Sequence, residues 1–180
     1  MALHAEELPS EAYVRTIESQ PGQWLASHLA LGVGMALLAV GLTSVLRLVE
    51  GRDARTTLVG TVVAAIGAAL MSLGDLAHGV VAYALAGHLD ASASLVAQEA
   101  YFAQPAIMIL SMAGMLLPLG LIILGVGLFR ARVVPRWLAV LVLISPIAIQ
   151  AGMASGPRML AFGLPFVVAM GAMARATARP

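Results

Sequence analysis

The sequence predicts an all-α, polytopic integral membrane bundle of five transmembrane helices, with residues 1–180 forming a single domain. The first observation is composition: 61% of the residues are hydrophobic and only 11% are charged, whereas a soluble domain carries about a quarter charged residues. The second is that the apolar residues form five long stretches, and the third is that most arginines lie beyond one end of these stretches. Water therefore cannot be the main solvent of this chain.

The five apolar stretches are the predicted spans. A hydrocarbon core of about 30 Å is crossed by about 20 apolar residues in a helix. The first three stretches exceed this length, whereas the last two are near the lower limit and could instead form a re-entrant hairpin. Pro146 and Pro165 fall inside these two and should kink them, because proline lacks a backbone donor. The predicted spans are residues 24–48, 57–87, 105–129, 137–153 and 159–174.

The basic residues predict the orientation. The chain has no lysine, and all ten basic residues are arginine, which indicates a GC-rich bacterial genome and a place in the inner membrane. With the N-terminus outside and the C-terminus inside, the positive-inside rule is obeyed, since eight arginines are then cytoplasmic and two external. The cytoplasmic eight are Arg47, Arg52, Arg55, Arg130, Arg132, Arg136, Arg175 and Arg179, and the external two are Arg15 and Arg158.

Two segments outside the spans are predicted to form short extracytoplasmic helices. Within the N-terminal segment 1–22, a helix capped by Ser10 should end before Pro21. This segment is rich in glutamate, which does not fit a signal peptide, so the first apolar stretch is expected to remain as a span. A second helix is predicted within residues 90–104, with Asp90 as its cap and Pro105 opening the third span.

Regularly spaced glycines predict where helices touch. Gly60, Gly67 and Gly74 recur every seven residues on the second span, and Gly34 and Gly41 have the same spacing on the first. Small residues allow membrane helices to approach closely. These surfaces could pack within one chain, against a second copy in a homo-oligomer, or against a partner subunit.

Ionisable residues inside the spans form the candidate site. His28 lies on the first span, and Asp75 and His78 share a face of the second because they are three residues apart. Ionisable groups in membrane segments are costly, so they are usually paired and face inward. In the predicted topology all three lie in the outer leaflet, at a similar depth. Three further polar residues fall near that depth, namely Glu99, Gln104 and Gln150.

Three chemistries suit this constellation. The first is acid–base chemistry on, or binding of, a hydrophobic small molecule such as a lipid, an isoprenoid or a quinone, with Asp75 orienting His78 and Glu99 as a further base. The second is a Zn or Fe(II) site with His28, Asp75 and His78 as ligands and Glu99 as a possible fourth. The third is haem b, with His28 and His78 as axial ligands.

Two alternatives need no cofactor. The chain could be a transporter, or a structural or accessory subunit whose polar residues lie at the level of the lipid headgroups. Several classes are excluded: the absence of cysteine removes disulfides, thiolate ligands and cysteine nucleophiles. A net charge of +1 without a basic run gives no sign of nucleic-acid binding. Membrane lipid is the expected partner in every case.

Overall fold

The computed structural model describes residues 11–48, 53–86 and 88–152, together with residues 167, 168, 171, 172 and 175. Every regular element in these segments is a helix. The helices are α1 (Glu11–Ser19), α2 (Pro21–Ser44, extended by a 3-10 turn at Val45–Leu48), α3 (Ala54–Ala86), α4 (Ala91–Phe102), α5 (Pro105–Gly114), α6 (Leu116–Ala131) and α7 (Arg136–Gly152).

Three helical segments are long and apolar enough to cross a membrane, which confirms the prediction of a helical membrane protein. They are Pro21–Arg47, Ala54–Ala86 and Pro105–Ala131. The second has 33 residues, about 50 Å at 1.5 Å per residue, so it is longer than a bilayer core. α7 is apolar but shorter. The predicted fifth span, 159–174, lies almost entirely outside the described residues.

The third predicted span is not one continuous helix, as residues 105–129 were expected to be. α5 ends at Gly114 and α6 begins at Leu116, with Met115 between them. The break has a local cause. Pro118 has no N–H to donate to the carbonyl of Gly114, and its ring would clash with that carbonyl in an uninterrupted helix. Proline is tolerated in the first turn of α6, where no intrahelical donor is needed.

The described chain divides into two compact units. The first unit comprises Met1–Ala36 and Leu70–Gly114, and the second comprises Leu37–Ala69 and Met115–Pro180. In the second unit, α3 and α6 pack backbone against backbone. A Cβ added at Gly60 would lie 2.6 Å from Leu124 Cα, and one added at Gly67 would lie 2.6 Å from Leu117 Cα. Gly120 on α6 meets Ala64 in the same way, as small residues in membrane helix contacts allow.

The first unit also uses close contacts at glycines. Gly74 of the predicted α3 stripe is less tightly packed there, since a Cβ would lie 3.7 Å from the Leu110 side chain. On α2, a Cβ at Gly34 in this unit, or at Gly41 in the second unit, would meet nothing within 4 Å, so neither glycine contacts another helix of the described chain. Gly32 is the contact residue instead: its carbonyl oxygen accepts a hydrogen bond of 2.7 Å from Ser72 Oγ on α3. On α3, Gly79 lies directly against the Cβ of His28. These contacts bring His28 to the face of α3 that carries His78.

Candidate functional site: a histidine and aromatic ring cluster

Two histidines from different helices lie side by side in the first unit. The ring centroids of His28 on α2 and His78 on α3 are 5.2 Å apart, at an interplanar angle of 57°. The absence of a side chain at Gly79 allows this approach, since a Cβ there would overlap with His28. Both histidines are half-buried. The helix geometry that the sequence predicts therefore does bring these two residues together.

Four aromatic residues surround the two histidines. Trp24 contacts His28 with a centroid distance of 4.5 Å and an interplanar angle of 32°, and Phe102 lies 5.1 Å from His78. The short helices α1 and α4 supply Tyr13 and Tyr101, at 6.5 and 6.4 Å from the His78 ring. These separations are typical of rings in contact. We call this group the ring cluster; its members are Tyr13, Trp24, His28, His78, Tyr101 and Phe102.

Local helix packing explains why α1 and α4 reach the cluster. The two helices contact each other, and Val14 and Ile17 on α1 are each only 1% exposed. On α4, Ser94 and Gln98 are buried. Tyr101 lies one turn after Gln98, and burial raises the pKa of its phenol above the ordinary value, so the hydroxyl stays protonated near neutral pH.

Hydrogen bonds fix the orientation of both imidazoles. The Tyr13 hydroxyl and His78 Nε2 are 2.7 Å apart, so α1 is tied to α3 by a polar contact. His28 Nδ1 donates to the carbonyl oxygen of Trp24 at 3.0 Å. Because a carbonyl can only accept, the neutral His28 ring carries its proton on Nδ1 and presents Nε2 as an acceptor.

Three polar atoms around the cluster are buried and have no hydrogen-bond partner. They are Trp24 Nε1, Asp75 Oδ2 and His78 Nδ1. Each such atom costs about 1–3 kcal/mol if it stays unsatisfied, and native structures contain few of them. The set holds an obligate donor, an acceptor and an imidazole nitrogen that can serve as either. Together they offer hydrogen bonds to a small polar group.

Asp75 does not have the role that its spacing predicts. His78 is oriented by Tyr13 on α1 rather than by Asp75. The Asp75 carboxyl is instead close enough to His28 to interact with it electrostatically. The three-residue spacing does place Asp75 and His78 on neighbouring positions of α3, but Asp75 Oδ2 and His78 Nδ1 have no hydrogen-bond partner.

The remaining predicted site residues are Glu99, Gln104 and Gln150. Glu99 and Gln104 are exposed, whereas the neighbour of Glu99, Gln98, is 2% exposed and its Oε1 has no partner. The side chain of Gln150 lies outside the described residues. Sequence reasoning also missed Tyr13 as a member of the site. The available signal was the spacing of Tyr13 and Ile17, four residues apart on the apolar face of α1.

The geometry gives no support to a metal site. Among the residues that the structure describes, no group of three or more histidine, aspartate or glutamate side chains could hold a metal ion. The Zn or Fe(II) site predicted on His28, Asp75 and His78 would need all three to point at one position. Instead, the imidazoles contact each other ring to ring.

Haem b does not fit this arrangement either. Two axial histidines must hold the porphyrin between them, but the His28 and His78 rings are only 5.2 Å apart, the separation of rings in direct contact. His78 Nε2 is also hydrogen-bonded to Tyr13. The space beside Gly79 is filled by the His28 side chain.

A polar cleft adjoins the ring cluster. Its volume is about 230 Å³, and Trp24 forms one wall. The other walls come from the end of α1 and the start of α2, namely Thr16, Ser19, Gln20 and Gln23. Trp24 therefore has one side in the cleft and contacts His28 with its ring. The volume is below the 300–1,000 Å³ typical of pockets that enclose a whole ligand, so it suits a head group.

Comparison with known proteins identifies a family but no activity. The chain matches a family model described as a domain of unknown function (DUF4386) over residues 2–177. The match includes all of the described helices and every residue of the ring cluster. No curated protein and no solved structure matches the chain.

Proposed function

We propose that this chain, which belongs to the DUF4386 family, binds the ring of a hydrophobic small molecule of the quinone class at the ring cluster and exchanges a proton with it. One observation carries the proposal: three buried, unpartnered polar atoms, Trp24 Nε1, Asp75 Oδ2 and His78 Nδ1, belong to or adjoin a cluster of rings in contact. A bound molecule that hydrogen-bonds to these atoms would remove their desolvation cost.

The chemistry of the site favours a flat ring over a lipid or an isoprenoid head group. Faces of Trp24, His28 and Phe102 are arranged around one small region, and ring stacking contributes about 0.5–1.5 kcal/mol beyond buried area. A quinone presents carbonyl oxygens that Trp24 Nε1 can donate to. Its reduced form presents hydroxyl groups that Asp75 Oδ2 can accept from.

Proton exchange is supported by the tautomer that His28 adopts when it is neutral. Its Nδ1 donates to the Trp24 carbonyl, so Nε2 carries the acceptor lone pair, as a general base requires. Asp75 lies close enough to His28 to interact with it electrostatically. A ring hydroxyl placed between them would transfer its proton to His28 Nε2 or to Asp75, and would receive it from the same atoms in the reverse direction.

The size of the cleft beside Trp24 indicates how such a molecule would bind. A volume of about 230 Å³ is enough for the ring and too small for a long chain. Of the ring cluster, only Trp24 lines the cleft, so the ring would reach His28, Asp75 and His78 only if the Trp24 side chain moved aside. The apolar tail would stay in lipid, along the exposed apolar faces of the spanning helices. This is the binding mode expected for a ligand that is itself dissolved in the bilayer.

We further propose five spans in a bacterial inner membrane, with the N-terminus outside and the C-terminus inside. The arginine distribution supports this orientation. In this topology the ring cluster lies at the outer surface, since Trp24 is in the first turn of α2 on that side and α3 ends there after His78. The short helices α1 and α4 would then cover the site from the external side.

The two tryptophans of the chain provide a direct test. Trp24 belongs to the ring cluster, whereas Trp137 is 54% exposed on α7. In the Trp137→Phe variant, all tryptophan fluorescence reports on Trp24. We expect a short-chain quinone analogue to quench this fluorescence in a saturable manner when titrated into the detergent-purified full chain.

Two variants and one control complete the test. Asp75→Asn and His78→Gln, each in the Trp137→Phe background, should weaken the fitted affinity roughly tenfold, because hydrogen bonds to charged groups contribute about 1.5–3 kcal/mol. Tyr83→Phe is the control, since Tyr83 is 45% exposed and lies outside the cluster. Linear quenching without saturation, or equal affinity in all variants, would refute the proposal. A Soret band or stoichiometric Zn or Fe in the purified protein would contradict a site built from side chains alone.

A further inference from the structure

A second polar pocket, in the second unit, is lined mainly by arginines. Its volume is about 480 Å³, within the range of pockets that hold small ligands. It lies where α6 ends and α7 begins, with the residue that precedes α3 as a further wall. The lining residues are Asp53, Phe129, Arg130, Ala131, Arg132 and Arg136.

The charges of the pocket are unbalanced in favour of cations. Asp53 Oδ1 lies 3.4 Å from Arg130 Nε, so that pair is close to neutral. Arg136 stands over the Phe129 ring, with Cζ 5.5 Å from the centroid, a contact that leaves its charge uncompensated. Within the described part of the chain, Arg132 has no carboxylate partner. The positive charges of Arg132 and Arg136 therefore face the pocket, and Asp53 does not neutralise them.

Backbone strain is concentrated at the same place. Among the described residues, two that are not glycine have positive φ: Asp53 at 64° and Arg132 at 58°. Both line this pocket. Arg132 is the C-cap of α6 in the left-handed conformation, where glycine is the usual residue because it adopts that conformation without strain. Non-glycine residues held in this region cluster at ligand sites.

We propose that the pocket binds a phosphate group, through Arg132, Arg136 and the N-terminus of α7. Arginine binds phosphate oxygens through two parallel hydrogen bonds, and the 17-residue helix α7 begins at Arg136, so its first N–H groups add a favourable dipole. The pocket adjoins the end of the membrane-crossing segment Pro105–Ala131. It therefore lies where lipid head groups lie, and a phospholipid is the source of the phosphate that this position favours.

Native mass spectrometry of the detergent-purified full chain can test this proposal with three probes. These are a short-chain phosphatidylglycerol, the zwitterionic phosphatidylcholine of the same chain length, and inorganic phosphate as a competitor. We expect saturable binding of phosphatidylglycerol, at least about tenfold stronger than that of phosphatidylcholine, a factor equal to about 1.4 kcal/mol. Displacement of the lipid by millimolar phosphate would assign the site to free phosphate. No displacement would assign it to the lipid head group.

The variant Arg132→Gly/Arg136→Gln removes both charges. It should keep the fold, because glycine adopts the left-handed conformation at position 132 freely. We expect it to bind phosphatidylglycerol at least about tenfold more weakly than the unmodified chain. Arg132→Gly alone should lose part of the affinity, which keeps the test valid if the double variant is poorly folded.

The matched control is Arg55→Gln. Arg55 is exposed near the start of α3 and does not line the pocket, so its loss removes a nearby charge and leaves the site intact. Unchanged affinity in this control, together with the loss in the double variant, supports the site. Equal weakening by both variants would show a general attraction between positive charge and anionic lipid and would overturn the proposal, as would unchanged binding in the double variant.

Discussion

The two units of the molecule pack their helices by different means. In the second unit, Gly60 and Gly67 on α3 meet the backbone of α6 directly. In the first unit, α2 and α3 also meet at a glycine, Gly79, but the space left by its missing side chain is filled by the His28 ring. One unit therefore uses small residues to bring backbones together, and the other uses them to make room for an imidazole ring.

The two units also differ in whether their buried polar side chains have hydrogen-bond partners. In the second unit, buried hydroxyls are satisfied within their own helix: Thr61 Oγ1 donates to Thr57 O and Ser145 Oγ donates to Val142 O. Among the described residues, every buried side-chain polar atom without a partner lies in the first unit. The comparison shows that a helix contact can be completed by dispersion and local hydrogen bonds, whereas the first unit leaves buried polar atoms unpaired, as the proposed binding site requires.

The largest expected effect would come from blocking the backbone contact of the second unit. Gly67→Leu places side-chain atoms where the α6 backbone lies, since even a Cβ would be 2.6 Å from Leu117 Cα. We expect a loss of stability of about 3 kcal/mol, the upper part of the usual range for overpacking, together with reduced folded yield. The measurement is the thermal unfolding midpoint of the detergent-purified variant.

Gly41→Leu is the matched control for this change. It lies in the same unit, and a Cβ there would meet nothing within 4 Å, so its unfolding midpoint should equal that of the unmodified chain. If both variants lost the same stability, the contact between α3 and α6 would not be the reason for the glycine.

A smaller effect is expected from removing the bond between α1 and α3 in the first unit. Tyr13→Phe deletes the hydroxyl that lies 2.7 Å from His78 Nε2, which should cost about 1 kcal/mol. The loosened α1 should then be cut faster by trypsin after Arg15, which is exposed. Tyr83→Phe removes a hydroxyl from an exposed tyrosine and should change neither measurement. Unchanged cleavage in Tyr13→Phe would contradict the role of this bond.

The smallest effect concerns the cap of α4 and depends on pH. Backbone and side-chain hydrogen bonds from Ala93 and Ser92 hold the pKa of Asp90 below its ordinary value of 3.8. Because the folded pKa is lower than the unfolded one, the cap contributes stability above about pH 4. That contribution is lost as the pH falls through the folded pKa.

Two variants of the cap separate charge from hydrogen bonding. Asp90→Asn keeps an acceptor for the Ala93 N–H and should make the unfolding midpoint less dependent on pH between 5 and 3. Asp90→Ala should lower the midpoint at every pH in that range. A pH dependence identical to that of the unmodified chain in Asp90→Asn would show that another group titrates there.

The membrane character and much of the helix pattern could be predicted from the sequence, because length and hydropathy decide whether a segment can cross a bilayer. Helix contacts were only half predictable. The seven-residue spacing correctly selected Gly60 and Gly67, but Gly34 and Gly41, which have the same spacing, contact no other helix of the described chain. Periodicity shows that residues share a helix face and does not show which face a neighbouring helix covers.

The candidate site, like the helix contacts, could be predicted only in part. His28, Asp75 and His78 could be found because ionisable residues are rare in apolar segments. The partner of His78 could not, since the hydrogen bond to Tyr13 depends on how α1 folds back onto the bundle. The residues around Tyr13 do not show in which direction α1 folds back. The predicted depth of an ionisable residue in the membrane identifies it as a candidate. Tertiary packing then determines which candidates interact.

The backbone contacts at Gly60, Gly67 and Gly120 have a consequence for how this chain can change over generations. Any single-nucleotide change in the first two positions of a glycine codon either stops translation or encodes a residue with at least a Cβ atom. At these three positions a Cβ would overlap with the backbone of the neighbouring helix. Every amino-acid substitution that one point mutation can produce at these positions therefore disturbs the helix contact, so these positions should stay glycine. The exposed Gly34 and Gly41 should tolerate substitution.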